Sequence, residues 1–350
     1  MMRGRYVHSI RDFHLRYGNV VRVAPDELSF ADPSAWADIH HRHNTEKTFL
    51  KNPIFMAKPE SHPVESIPTT TNVADHTRQR RVLEKSFGSG AIKLQEPIVQ
   101  ENISLLIARL REDIEKSRLT KGGQKEALVN MTDWYSFCTF DILGDLAFGE
   151  PFGCLQSGAY HKWVEIGTNN IKGLTRQTAL KYYPTLYWIV ERLLPKSLKE
   201  KERYHYAHTV EKVDKRMSLE RKRDDFMTPV LKTKGRPEGM SKEEIYCNFG
   251  FLIIAGSETT TITLSGITNY LVQSPDVLDK LEREIRSHFS DDMEITSDTI
   301  KNLPYLDAVI KEGLRLCTAV PAGNSRIVPP GGATICGEYI PEKVCQHHNL

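Results

Sequence analysis

Apolar residues recur at intervals of three and four along most of this chain and alternate only in a few short runs. The pattern predicts a mainly α protein with small β-sheets. Residues 5–17 read as an amphipathic helix closed by Gly18. Val20–Val23 and Glu27–Phe30 then read as two strands parted by a turn at Ala24-Pro25-Asp26. Asp32-Pro33 opens another helix, since Asp caps and Pro suits a first turn. Residues 51–74 are rich in Pro, Ser and Thr, show no sustained period, and read as a long loop. Helical patterns follow at 75–87, 93–118, 130–147, 159–172, 200–223 and 227–232, with connectors at Gly122-Gly123 and Gly235–Gly239.

The clearest element starts at Ser241. Ser241-Lys-Glu-Glu244 is a capping box, and the helix it opens can run to Gln273, before Ser274-Pro275. At 1.5 Å per residue such a helix is roughly 50 Å long, enough to cross a domain. Its middle, Phe251–Ile254, is apolar on every side and is expected to be buried. Pro275 starts a helix to Phe289 and Leu303-Pro304 another to Leu316; strand signals return at 324–328 and 333–336.

Inside the long helix, Ala255-Gly-Ser-Glu-Thr-Thr-Thr261 is a poor helix former. Threonine hydroxyls can bond to carbonyls one turn back and bend or widen the helix. Gly256 removes a side chain, so that a flat ligand can approach the backbone, and Glu258 sets a carboxylate beside an apolar run. Hydroxyl and carboxylate next to a tight space can relay protons. The same residues equally suit plain helix–helix contact with Glu258 in solvent, and the pattern alone does not choose.

Glu312 and Arg315 lie at i, i+3 on one helical face. The ExxR pattern also occurs at Glu115/Arg118, Glu200/Arg203 and Glu220/Arg223, in charged stretches that read as solvated surface. Apolar neighbours of Glu312 and Arg315 predict a partly buried, structural pair. His76 and Arg80, on a helix expected to be capped by Asp75, share a face that suits a carboxylate or phosphate, though an exposed basic turn reads as well. The histidines at 40–43, 205/208 and 347/348 lack matching ligands and are expected to be solvated, with no protein-bound metal.

Composition narrows the classes. A length of 350 residues permits one large domain or two ordinary ones, and the absence of repeats or low-complexity linkers favours one domain over 1–350. Lys+Arg 47 nearly cancels Asp+Glu 45, which argues against nucleic acid as a partner. Six scattered cysteines without CxxC read as reduced thiols. The N-terminus has no apolar core of a signal peptide, and the longest apolar run falls far short of the roughly 20 residues that span a bilayer. The expectation is a protein without a membrane-spanning anchor, soluble or lying on a membrane surface.

Taken in order, these features resemble the cytochrome P-450 family of haem-thiolate monooxygenases. Its long-helix motif (A/G)Gx(D/E)T(T/S) is matched at Ala255, Gly256, Glu258, Thr259 and Thr260; its ExxR helix at Glu312 and Arg315; its haem-side HxxxR turn at His76 and Arg80. Residues 326–337, 20–30 and 144–153 are similar to fungal members. The resemblance implies a P-450-like fold in which the long helix crosses the distal haem face. It implies that Glu258 and Thr259 are catalytic and deliver protons, and that Gly256 lies against the cofactor. It further implies that His76, Arg80 and Arg326 pair with haem propionates, and that Glu312 and Arg315 lock the core. Residues 51–74, 158–185 and 319–324 would border the substrate pocket.

The family's FxxGxxxCxG loop is missing: no cysteine here is followed by x-Gly, and Phe152-Gly-Cys154 lies upstream of the long helix. The sequence departs from the family after Ile340-Pro341, which reads as a truncated or mis-spliced frame and a fold incomplete at the C-terminus. The axial thiolate drives O–O cleavage. By resemblance the chain is therefore a monooxygenase for an apolar small molecule, a terpenoid or polyketide of secondary metabolism, fed with electrons by an NADPH-dependent reductase. As written it is expected to be inactive and not to hold haem stably. The alternative is a non-catalytic remnant that binds haem or ligand weakly. The expected location is cytoplasmic or peripheral to the endoplasmic reticulum.

Overall fold

The helix expected at the N-terminus is α1 (Tyr6–Tyr17), ended by Gly18, which takes φ 94° and returns its N–H to the His14 carbonyl. The computed structural model describes residues 5–41, 48–54, 58–120, 128–193, 196–219 and 223–348. The Gly122-Gly123 connector lies outside them, as do Glu220 and His43. After α1 come β1 (Val20–Ala24) and β2 (Glu27–Phe30), paired antiparallel as the turn signal required, then α2 (Ser34–His40). Asp32 does serve the entry to α2: its Oδ1 accepts from the Ser34 N–H at 2.9 Å.

The region read as a loop from 51 begins with a two-residue strand, β3 (Leu50–Lys51). It ends where α3 (Val73–Glu84) starts, two residues earlier than expected. The cap is Asn72, which accepts from the Ala74 and Asp75 N–H groups at 2.9 and 3.2 Å; Asp75 instead sits in the first turn and pairs with Arg78. Asn and Asp cap equally well, so pattern alone could not choose between them.

The helical series continues with α4 (Ser89–Thr120), α5 (Met131–Phe148), the single turn α6 (Cys154–Ser157) and α7 (Lys162–Lys181). Next come α8 (Pro184–Leu193), which the sequence reading missed, α9 (Lys196–Ser218) and α10 (Met227–Lys232). The long helix is α11 (Lys242–Val272), with both bonds of the Ser241/Glu244 capping box formed. It is followed by α12 (Pro275–His288) and α13 (Pro304–Leu316). The strands β4 (Arg326–Ile327), β5 (Ala333–Ile335), β6 (Glu338–Ile340) and β7 (Cys345–His348) complete the described chain. No described helix is long and apolar enough to cross a membrane.

Helix α11 is the axis of the helical part. It packs most extensively on α5 and touches α7, α9, α12 and α13. The core around it is aromatic and aliphatic: Phe140, Trp163, Val213, Met227, Phe249 and Ile253 are all fully buried. A second cluster, Phe30, Ile39, Phe49, Val328 and Ile335, joins β2, α2 and the β5–β6 hairpin. The sheet order is β1-β2-β7-β4-β3, with β2–β7 its parallel pair, and β5–β6 form a separate hairpin.

Two expectations about burial fail here. Ile253 is sealed, but Phe251 is 39% exposed, so the apolar middle of α11 is not enclosed on every side. Arg223, read as solvated, instead pairs with Asp145 at the end of α5 and reaches Asp225 at 3.8 Å.

Candidate functional site

One face of α11 is committed to α5. An added β-carbon on Gly256 would stand 2.5 Å from Leu143 Cδ1, so the glycine exists for helix–helix approach. On the side where a β-carbon would point, Leu143 of α5 fills the space beside Gly256. Two turns of hydroxyls extend the same contact, Thr139 with Thr261 at 2.9 Å and Tyr135 with Thr268 at 2.8 Å. At the N-terminal end Glu244 accepts from Arg78 at 2.6 and 3.0 Å and from Gln79 at 3.1 Å, which fixes α3 across α11.

Another face carries Phe251, Ala255, Glu258 and Ile262, spaced by four, three and four residues, and stays at least partly accessible along its length. On it, Thr259 Oγ1 donates to the Ala255 carbonyl at 2.7 Å, and Thr260 and Thr263 bond back in the same way. The expected back-bonding is present. The helix runs through the motif as continuous α-helix. Glu258 is half-buried, and burial raises its pKa above the ordinary glutamate range. Among the described residues no hydrogen bond or ion pair reaches it, and Tyr160 lies close enough to feel its charge.

The cationic residues come from three elements. His76 and Arg80 stand one turn apart on α3, His76 half-buried and Arg80 exposed. Arg326 lies in β4, half-buried, and its guanidinium donates to the Ser325 carbonyl at 3.1 Å. Its cross-strand partner is Lys51 of β3. Lys51 falls in the stretch that the sequence pattern gives as a loop; the apolar Phe49-Leu50 before Asn52-Pro53 is the local sign of a strand. Burial and the neighbouring Arg326 push Lys51 down to about 8. A chain of bonds ties this strand pair to α3. Lys51 donates to the Ile67 carbonyl, the Ile67 N–H to Asn248 Oδ1 at 2.9 Å, and Asn248 Nδ2 to Gln79 Oε1 at 2.8 Å.

Glu312 and Arg315 form a two-bonded pair at 2.6 and 2.7 Å, as the spacing required, but their side chains are 55% and 67% exposed. The expected burial fails because the apolar neighbours are themselves at the surface: Ile310, Leu314 and Leu316 are each more than 40% exposed. Glu312 forms part of the wall of an apolar groove of about 360 Å³ between α11, α12 and α13, floored by Ile267, Leu271, Tyr305 and Val309. The histidines at 205 and 208 also depart from expectation. They are not solvated; both Nε2 atoms are buried without a hydrogen-bond partner. Among the described residues no group of three or more histidines, cysteines or carboxylates could hold a metal ion.

Comparison with known proteins decides the family. The cytochrome P450 family model matches residues 2–344. The chain belongs to the cytochrome P450 family. It is 39% identical to the cytochrome P450 monooxygenase astJ of Aspergillus oryzae over 95% of its length. It is 37% identical, over 97% of its length, both to the monooxygenase lcsI of Purpureocillium lilacinum and to the averantin hydroxylase of Dothistroma septosporum. The chain spans 65%, 64% and 62% of the lengths of lcsI, astJ and the hydroxylase.

Full-length cytochromes P450 carry haem, and this chain's residues fit that group in part. Arg326 and Lys51 are adjacent desolvated cations, and among the described residues neither is bonded to a carboxylate. Such a pair suits the carboxylates of haem propionates. None of the six cysteines lies in the FxxGxxxCxG loop that carries the family's axial ligand. Burial pushes Cys154 and Cys345 up to about 11 and Cys138 up to about 12, and raises Cys247 as well. Cys336 Sγ sits 3.3 Å from Ser34 Oγ. Cys317 presses on α11 itself: a β-carbon on Gly266 would meet its sulfur at 2.2 Å, so no macrocycle fits between that sulfur and the helix.

Proposed function

We propose that these residues form the distal and anion-holding framework of a monooxygenase for an apolar small molecule of the terpenoid or polyketide class, and that by themselves they bind haem weakly and do not oxidise. The observation that carries this reading is the accessible face of α11, where Glu258 and Thr259 stand side by side between Phe251 and Ile262. Apolar side chains on that face favour an apolar ligand. The polar pair is the means of handling protons beside it.

Haem bound through a thiolate supplies dioxygen activation with electrons from an NADPH-dependent reductase. The chain's own residues have narrower tasks. Glu258, with its raised pKa, is protonated over a wider pH range than an ordinary glutamate and can give or take a proton at its carboxyl oxygen. Thr259 commits its hydroxyl hydrogen to the Ala255 carbonyl, which leaves its oxygen lone pairs to accept a bond from a neighbouring donor. Arg326, with His76 and Arg80 on the α3 side, holds propionates, and Glu312 with Arg315 fixes the end of α13. The reading includes a peripheral seat on a lipid surface such as the endoplasmic reticulum. In its support, α8 buries none of its residues and exposes Leu186, Trp188 and Ile189.

Averantin hydroxylase, one of the relatives, supports a hydroxylation of this general kind. The lack of an FxxGxxxCxG loop favours the second reading, a non-catalytic binder, for the 350 residues taken alone. The deciding experiment supplies the full chain with haem and records the carbon monoxide difference spectrum after reduction. The expected result is no thiolate-type band; such a band would refute the claim that these residues do not oxidise. Hemin and its dimethyl ester are compared in parallel. Weaker binding of the ester, and loss of that difference in Arg326→Ala, supports the propionate assignment, and equal binding of both compounds rejects it.

A further inference from the structure

Four histidines that take no part in the site above lie together where three elements meet. His161 is the N-cap of α7, its Nδ1 accepting from the Trp163 N–H at 3.2 Å. Its ring stacks on that of His208 in α9, 5.6 Å away. His205, one turn earlier on α9, stacks on Trp163 at 4.2 Å, and Trp163 Nε1 donates to the His205 carbonyl at 3.1 Å. His62 belongs to the segment 58–66, which lies along α9: Ser61 bonds Glu202 at 2.9 and 3.2 Å, Glu60 pairs with Lys199 at 3.2 Å, and the His62 ring meets Tyr206 at 5.2 Å. Beneath this segment lies Cys247 of α11, fully buried and bonded to the Val64 backbone.

We infer that His62, His161, His205 and His208 form an acid-sensitive latch, which holds residues 58–66 and the start of α7 against α9 while the imidazoles are neutral and releases them on protonation. The geometry requires the neutral form at three points. A protonated His161 has no lone pair and cannot cap α7. His205 Nε2 and His208 Nε2 are buried with no partner, so an N–H added at either has nothing to bond, although His208 Nδ1 stands 3.4 Å from Glu211 and of the two only His205 lacks a carboxylate beside its ring. His205 Nε2 lies beside Gly167 and the Ile254 side chain.

The charged surroundings are mixed, and His205 decides the balance. Glu202 faces His62, and Glu211 and Glu150 face His208; these acids favour protonation. Lys58 beside His62, and Lys212 beside His161 and His208, oppose it. Tyr204 stacks on His208 and has the Lys162 ammonium 5.1 Å from its ring centroid, and the Tyr206 ring meets that of Tyr246 of α11. Around His205 the charged neighbours are the imidazoles of His62 and His208, and burial with these two holds it down at about 4. The Trp163 face would favour a cation, but only by the modest amount typical of such stacks.

The sign follows from linkage. All four are depressed relative to 6.5, so the latch is fully favoured above that pH and is lost as pH falls toward the closed-state values. With His205 at about 4 when closed and 6.5 when free, protonation at pH 5 favours the open form about 30-fold.

The test follows Cys247 with 4,4′-dithiodipyridine, which reacts at acid pH, on the full chain at pH 7.5 and 5, each rate divided by that of free cysteine. The expected result is protection at pH 7.5 and labelling at least tenfold faster at pH 5, while Cys138 in the α5 core stays protected and the far-ultraviolet spectrum is unchanged. His205→Phe keeps the ring stack without a titrating nitrogen and should remove most of the acid response. An unchanged Cys247 rate, equal release of Cys138 and Cys247, or an undiminished response in His205→Phe would each overturn the latch.

Discussion

Gly256 and Leu143 touch so closely that a β-carbon at position 256 would stand 2.5 Å from Leu143 Cδ1, and the leucine side chain would have to move to admit it. The most distinctive glycine of the motif thus answers to a neighbouring helix. The expected effect of Gly256→Ala is a loss of about 1–3 kcal/mol, the usual cost of overpacking. Leu143→Ala in the same chain should recover part of it. Urea midpoints of the four proteins in that cycle check both statements.

Arg216 and Asp225 make a two-bonded ion pair at 2.7 and 3.2 Å with both side chains buried. Removing one partner leaves the other charge uncompensated. Arg216→Ala should therefore cost about 3–5 kcal/mol. Replacing both with apolar residues should cost much less, and equal losses in the single and double variants would show that packing, not charge, is responsible.

Glu258 has its pKa raised by burial, so ionisation opposes folding. For such a group the favourable condition is the protonated one at low pH, and stability declines as pH rises through the folded value. Glu258→Gln should be more stable than the parent at pH 7, with the difference closing towards pH 4. Denaturation series at several pH values measure this, and a pH-independent difference would contradict it.

Lys51 shows the same logic with opposite charge. Its folded value is about 8 against 10.5 when free, so the charged ammonium opposes folding below pH 8 and the penalty fades between 8 and 10.5. Lys51→Met should stabilise the chain at pH 7 and have little effect at pH 11. If the penalty comes from Arg326 as well as burial, Arg326→Met should raise the Lys51 value, which a lysine-labelling rate would show as slower modification at pH 8.

What was legible in the sequence depended on whether the signal was local. The Ser241/Glu244 box, the Pro starts at 275 and 304 and the Gly18 stop each involve a few neighbouring residues, and all lie where expected. Helix α8 had a local signal as well, Leu186, Ile189, Val190 and Leu193 at helical spacing after Pro184, which the reading passed over. The site was legible as a set of positions on α11, since spacing fixes which residues share a face. Tertiary contact was not: nothing near Gly256 in the sequence points to Leu143. Apolar neighbours of Glu312 could not reveal that they were exposed themselves, and Lys51 acquires its character from burial and from Arg326, 275 positions away.

Strand β7 sits between β2 and β4 in the sheet, parallel to one and antiparallel to the other. Residues 345–348 therefore join a hairpin made from the first thirty residues to strands that include β3 and β4. A growing polypeptide cannot assemble this sheet progressively, because its central member emerges after all the others. Until then the backbone edges of β2 and β4 have no mutual partner, and loop closure across more than 300 residues makes their union a late event. The helical core around α11 has no such dependence and can consolidate while the sheet still waits.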